Sequence, residues 1–130
     1  MIIPSDLKYT RTDEWVKVDG SVATVGISDY AQEQLSDIVF VEVTVSVGES
    51  IKKDTVCATV ESVKAAADVN LPVSGTVTAV NENLPGVPEK INTDPYGEAW
   101  MLKVEISDPS ELDRLMDAAE YDTYCKERAH

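Results

Sequence analysis

The chain has 130 residues, of which 43% are hydrophobic and 27% charged, and its 24 Asp and Glu against 11 Lys and Arg give a net charge of −13. That length suits a single domain over residues 1–130 with one core, and no apolar run nears the roughly 18 residues of a membrane span. The acidic balance repels phosphate backbones, so nucleic acid is not an expected partner, and with no long apolar run neither is a membrane.

The two cysteines, Cys57 and Cys125, have no metal-ligand spacing and form no disulfide framework, so both are expected to be free. His130 is the single histidine and stands at the end of the chain. That removes His-based triads and His-rich metal sites from consideration. The segment Met1-Ile2-Ile3-Pro4-Ser5-Asp6 has neither the basic start nor the apolar stretch of a secretory signal, and a cytoplasmic location is expected.

In chain order, residues 15–18 and 22–25 flank Asp19-Gly20, a pair that readily takes positive φ and predicts a β-hairpin. Residues 29–35 predict a short helix between two strands. Residues 39–45 are rich in β-branched side chains, with Glu42 and Thr44 alternating against apolar neighbours, which predicts a strand with one buried face. Cys57 lies in the apolar run 55–60 and reads as a core residue.

Further strands are predicted at 56–63, 67–71, 75–80 and 100–106, divided by Gly48, Pro72, Gly75, Pro85, Gly86 and the Asp94-Pro95-Tyr96-Gly97 turn. Short strands at this frequency predict a small barrel or sandwich. A helix is predicted to begin at Asp108, with Asp108 as cap, Pro109 in the first position and Glu111 completing a capping box. Leu112, Leu115, Met116 and Ala119 would then share a face packed on the sheet. Residues 120–128 predict a second short helix.

Lys64 stands where two strand-like runs meet, in Val60-Glu61-Ser62-Val63-Lys64-Ala65-Ala66-Ala67-Asp68-Val69. A tight turn there would carry it to a hairpin tip. On position alone an exposed lysine is a solubilising charge. The three alanines leave room for a modifying enzyme or a long side arm, but alanine is equally a neutral filler. No nucleophile and base stand together in a way that supports an enzyme.

The run Glu61-Ser62-Val63-Lys64-Ala65 resembles the lipoylation signature of glycine cleavage H proteins. Other blocks follow that family's order over nearly the whole chain: Asp13-Glu14-Trp15-Val16, Val25-Gly26-Ile27-Ser28-Asp29-Tyr30-Ala31, Asp37-Ile38-Val39-Phe40-Val41-Glu42, Pro72-Val73-Ser74-Gly75 and Asn92-Thr93-Asp94-Pro95-Tyr96-Gly97-Glu98-Ala99-Trp100. The chain departs from the pattern at Asp13 and Ala67, where the family commonly has His and Ser.

The resemblance implies a mainly β fold, the lipoyl-domain-like barrel-sandwich hybrid, with a lysine-bearing hairpin and short peripheral helices including a C-terminal one. It implies lipoic acid held covalently on Lys64, Glu14 and Asp68 as arm contacts, and no catalytic residue, since a group carrier leaves the chemistry to its cofactor. The implied role is a monomeric carrier that takes an aminomethyl group from glycine decarboxylase to a tetrahydrofolate-dependent aminomethyltransferase and electrons to dihydrolipoamide dehydrogenase. A lipoate ligase or a lipoyl or octanoyl transferase would attach the cofactor. The acidic surface would speed encounter with basic docking faces.

Two alternatives stay open. One is an H-like relay that passes lipoyl groups in lipoate metabolism, and the other is a lipoyl domain of another 2-oxo acid dehydrogenase complex, which usually sits in a longer chain with mobile linkers. A biotin-carrying domain would place methionine on both sides of its lysine, where Val63 and Ala65 stand here.

Overall fold

The computed structural model describes residues 1–128. His130 lies outside the described residues. The elements in chain order are β1 (Lys8–Tyr9), β2 (Glu14–Asp19), β3 (Val22–Ile27), α1 (Asp29–Leu35), β4 (Ile38–Val43) and β5 (Ser50–Ile51). They continue with β6 (Val56–Ser62), β7 (Ala66–Asn70), β8 (Gly75–Val80), α2 (Lys90–Thr93), β9 (Leu102–Ile106) and α3 (Ala118–Arg128). Single 3-10 segments occupy Leu84–Gly86 and Pro109–Arg114.

The strands form two antiparallel sheets, ordered β1-β2-β3-β9-β8-β5 and β4-β6-β7. Along β8 burial alternates from Gly75 to Thr78, inward then outward, as the two-residue period of a strand requires. Val25, Val77 and Val104 of the larger sheet meet Val41, Val60 and Val69 of the smaller one in a single buried cluster. The sheets thus face one another across a shared core without closing into a barrel, which is the mainly β sandwich the residue pattern predicts.

A second cluster lies beneath α3 and joins Leu7, Tyr9, Trp15, Tyr121 and Cys125. The rings of Tyr9 and Tyr121 stack there at 4.5 Å with planes 2° apart. Aromatic pairs of this kind add to the burial of their area.

The predicted β2–β3 hairpin forms with its turn one residue later than read. Asp19 still pairs with Val22, leaving Gly20 and Ser21 at the bend, and Gly20 has φ 63°. Without a Cβ, glycine enters that region unstrained. Helix α1 covers the predicted residues. Ser28 caps it by accepting from the Ala31 amide at 3.2 Å, and Ser36, with φ 69°, ends it.

The strand predicted at 39–45 runs over Ile38–Val43 instead, and a register shift between Ile38 and Phe40 leaves both Val39 and Phe40 exposed. Irregular pairing of this kind breaks the simple inward and outward alternation. The two-residue strands β1 and β5 are too short to show any period.

The helix expected from Asp108 through Ala119 does not form as one unit. Asp108 does cap, accepting from the Ser110 amide at 3.1 Å, but the segment is 3-10 and ends at Arg114. Glu111 leaves the cap and binds Ser74, accepting from its amide at 2.7 Å and its hydroxyl at 3.0 Å. Met116 pairs with Tyr9 across two backbone hydrogen bonds of 2.8 and 2.9 Å. The expected apolar face is therefore split: Leu112 and Leu115 pack on the main core, Met116 on the second cluster, and Ala119 is exposed. The reciprocal capping box appears instead between Asp117 and Glu120, at the start of α3. The second predicted helix is real and begins two residues earlier, at Ala118.

Candidate functional site

Strands β6 and β7 pair from Val56 and Asn70 down to Glu61 and Ala66, and the chain reverses immediately beyond. Ser62 closes the reversal. Its amide donates to the Ala65 carbonyl at 2.7 Å, and its hydroxyl oxygen accepts from the Lys64 and Ala65 amides at 3.2 and 3.0 Å. Serine suits this place because its short side chain can occupy the backbone amides of a turn. Val63 donates its amide to the Asp37 carbonyl at 3.0 Å, tying the tip to the segment before β4. Lys64 and its neighbours Val63, Ala65 and Ala66 are all exposed, so the amine stands on a braced tip with small residues on one side.

Against the hairpin, at Val60 and residues 67–69, a cleft of about 180 Å³ opens between β2, α1 and β7. Ile27, Ala31, Leu35 and Val60 form its apolar wall, and Glu14 and Asp68 supply carboxyl groups. The structure therefore brings the two predicted acids to one concavity but gives them opposite surroundings. Asp68 is exposed on β7, opposite Thr59. Glu14 is buried, with 1% of its surface accessible.

The Glu14 carboxyl is held by three donors. Thr10 and Thr12 hydroxyls reach Oε1 at 2.6 and 2.5 Å, and the Asn70 amide reaches Oε2 at 3.2 Å. Burial pushes its pKa above the ordinary glutamate value, against the pull of the three hydrogen bonds and with a smaller upward push from Asp13. A buried carboxyl on an apolar wall offers a place for a cationic or hydrogen-bonding group that enters the cleft.

Thr10 and Thr12 went unread as site residues in the sequence, although their spacing with Glu14, every second residue, is the one signal that could have marked them. Asp13 lines the same cleft, but its carboxylate turns towards α3, accepting from Tyr121 at 2.7 Å and from Arg128. Ala67 also lines the cleft and carries no polar group to it.

Cys57 lies in the core, where its thiol donates to the Val69 carbonyl at 3.4 Å. Burial, aided by the charge of Glu14, pushes that thiol up to about 12. It stays protonated at neutral pH and is no nucleophile. Cys125 is buried in the second cluster, and both thiols are free. Among the described residues no group of three His, Cys, Asp or Glu side chains is placed to hold a metal ion, and no helix is long and apolar enough to cross a membrane.

Comparison with known proteins bears directly on this arrangement. A family model described as glycine cleavage H-protein matches residues 7–128. A glycine cleavage system H protein of Acidobacterium capsulatum is 54% identical over 127 residues, covering 98% of this chain and 97% of the relative. One of Thermotoga maritima is 53% identical over 118 residues, covering 91% and 94%. The crystal structure of a glycine cleavage system H protein from Mycobacterium marinum superposes with a TM-score of 0.83 at 33% identity, covering 98% of this chain and all of that one.

Proposed function

The chain belongs to the glycine cleavage H-protein family, and from that membership we propose that it is the lipoyl-bearing carrier of a glycine cleavage system, with Lys64 as the attachment point. It takes an aminomethyl group from glycine decarboxylase to a tetrahydrofolate-dependent aminomethyltransferase, and electrons to dihydrolipoamide dehydrogenase. A lipoate ligase or a lipoyl or octanoyl transferase first forms the amide on Lys64. The lipoyl group, when attached, supplies the dithiolane that carries both the one-carbon unit and the electrons.

The observation that carries this reading is the meeting of two features: an exposed lysine on a hairpin turn locked by Ser62, and, beside that hairpin, a cleft that holds the buried Glu14 carboxyl of β2. Three residue steps, about 10 Å at the usual strand rise, separate Ala65 from Asp68. A lysine lengthened by a lipoyl chain can fold back over that distance. The apolar wall excludes water, and Glu14 meets the amine of the cargo with a hydrogen bond or an opposite charge. Asp68, at the rim, adds negative potential. The protein's own task is to present, shelter and release.

Reconstitution tests the role. The lipoylated chain should support glycine decarboxylase, and Lys64→Arg should not, since guanidinium offers no amine for the amide bond. A lipoylated chain that is inert with glycine decarboxylase yet passes lipoyl groups to other acceptor proteins would overturn the reading in favour of a relay in lipoate metabolism. Shelter is tested by the rate of formaldehyde release from the loaded carrier, which should rise in Glu14→Gln and in Asp68→Asn. Unchanged rates in both folded variants would show that neither carboxyl guards the cargo.

A further inference from the structure

The carboxyl of Glu14 owes its position to a short loop, residues 10–13, that links β1 to β2. Thr10 and Thr12 of this loop hold Glu14, and the loop itself is gripped from the other side by α3. Tyr124 donates its hydroxyl to the Arg11 carbonyl at 2.8 Å. Tyr121 donates to Asp13 Oδ1 at 2.7 Å, and Arg128 makes a forked pair with both oxygens of Asp13 at 2.5 and 3.2 Å. The Arg128 guanidinium is further sandwiched between the Tyr30 and Tyr124 rings, 4.2 and 4.1 Å from their centroids.

Asp13 adopts φ 77°. A non-glycine residue stays in that region only where its surroundings over-determine it. Here the surroundings are the Arg128 and Tyr121 contacts, together with the bond from the Ser28 amide to the Asp13 carbonyl at 2.9 Å.

Tyr121 reaches the opposite wall as well. Its oxygen lies 2.6 Å from the Ser28 hydroxyl, the cap of α1, and α1 contributes Ala31 and Leu35 to the cleft. Because the single phenolic proton goes to Asp13, Ser28 is the donor in that contact. One hydroxyl therefore joins the loop that holds Glu14 to the helix that faces it.

We propose that α3 is the positioning element of the arm cleft: Tyr121 and Arg128 fix residues 10–13 against the α1 cap and thereby hold the Glu14 carboxyl at its depth in the wall. Neither residue reaches the cargo, and both act through Asp13. The functional half of this inference rests on the reading of Glu14 given above, whereas the positional half can be measured without any cofactor.

The test uses the full chain, unmodified and then lipoylated and loaded. Tyr121→Phe keeps the ring stack and removes only the hydroxyl, and Arg128→Met keeps the length of the side chain and removes the ion pair. Carbon-detected NMR of the unmodified protein follows the Glu14 carboxyl resonance against pH, alongside those of Asp13 and Asp68, the other carboxyl groups lining the cleft. In each variant the Glu14 titration should shift from its wild-type position, since the burial and the Thr10 and Thr12 hydrogen bonds that set it both depend on where the loop is held. Formaldehyde release from the loaded variants should quicken by about tenfold, the rate equivalent of one lost charge-assisted hydrogen bond. Arg128→Lys should recover part of both effects. Lys126→Met, which breaks the exposed Lys126–Asp122 pair on the same helix, should cause neither.

A Glu14 titration that is unmoved in the folded variants, or that moves as far in Lys126→Met, overturns the positioning role. A titration that moves while formaldehyde release stays constant upholds the positioning and overturns Glu14 as the guard of the cargo.

Discussion

Replacing Gly26 by alanine should destabilise the protein strongly, because the side chain of Trp15 occupies the space a Cβ would need. Gly26 pairs directly with Trp15 across β2 and β3. A Cβ built there meets the indole Cε2, Cζ2 and Nε1 at 2.7 Å, where ordinary contact begins at 3.4 Å. The ring would have to retreat by about 0.7 Å. It has little freedom to do so: Trp15 is 1% exposed, its Nε1 donates to the Pro95 carbonyl at 3.0 Å, and the Tyr96 ring lies 6.0 Å away.

Overpacking of this kind costs about 1–3 kcal/mol, and loosening the indole hydrogen bond adds about 1 kcal/mol. Relief of glycine's extra chain entropy offsets roughly 0.5 kcal/mol. The net loss of about 1.5–3.5 kcal/mol should lower Tm by about 5–14 °C in a domain of this size. Differential scanning calorimetry measures the midpoint, and tryptophan fluorescence reports the ring. A variant that melts within about 2 °C of the wild type with unchanged fluorescence would refute the packing argument.

Peptide mapping should find lipoyl on Lys64 alone, and Lys64→Arg should fold normally and accept none; lipoyl on Lys52, Lys53 or Lys90 with Lys64 bare would refute the assignment. Glu14→Gln should change how stability depends on pH. Folding raises the Glu14 pKa, so the wild type binds more protons folded than unfolded and loses stability as pH rises from the ordinary carboxylate range through the folded value. The variant lacks that loss, so its stability relative to wild type should climb as pH rises above the ordinary glutamate range, whatever constant offset its amide introduces beside the Asn70 N–H; urea melts with a pH-independent difference would refute this. Association with partner enzymes should slow as salt rises from low to moderate concentration, because the surface charge is screened beyond about 10 Å at 0.1 M. Stopped-flow rates that stay flat would leave the net charge of −13 as a matter of solubility alone.

The hairpin carrying Lys64, the strand pairs around Asp19-Gly20 and the helix Asp29–Leu35 were readable from residues because each depends on its neighbours in the chain: alternation, turn formers and a serine cap. Family likeness in Glu61-Ser62-Val63-Lys64-Ala65 then drew attention to one lysine among several. Beyond that range the local pattern misled. A cap, a proline and an acid at Asp108, Pro109 and Glu111 satisfied the rules for a long helix, yet Ser74 took the Glu111 carboxylate and Tyr9 took the Met116 backbone. Both partners are distant in sequence.

For Glu14 the sequence by itself determined the residue and its place at the head of a strand, and nothing of its surroundings. Burial followed from packing β2 against α1 and β7, and the upward shift of its carboxyl follows from that burial. The same holds for Gly26, whose absence of a side chain makes sense only once the Trp15 ring is seen lying across it. Local chain geometry selects turns, caps and strand faces within a few residues, while desolvation and close packing depend on which remote surfaces meet, and only the tertiary structure decided that.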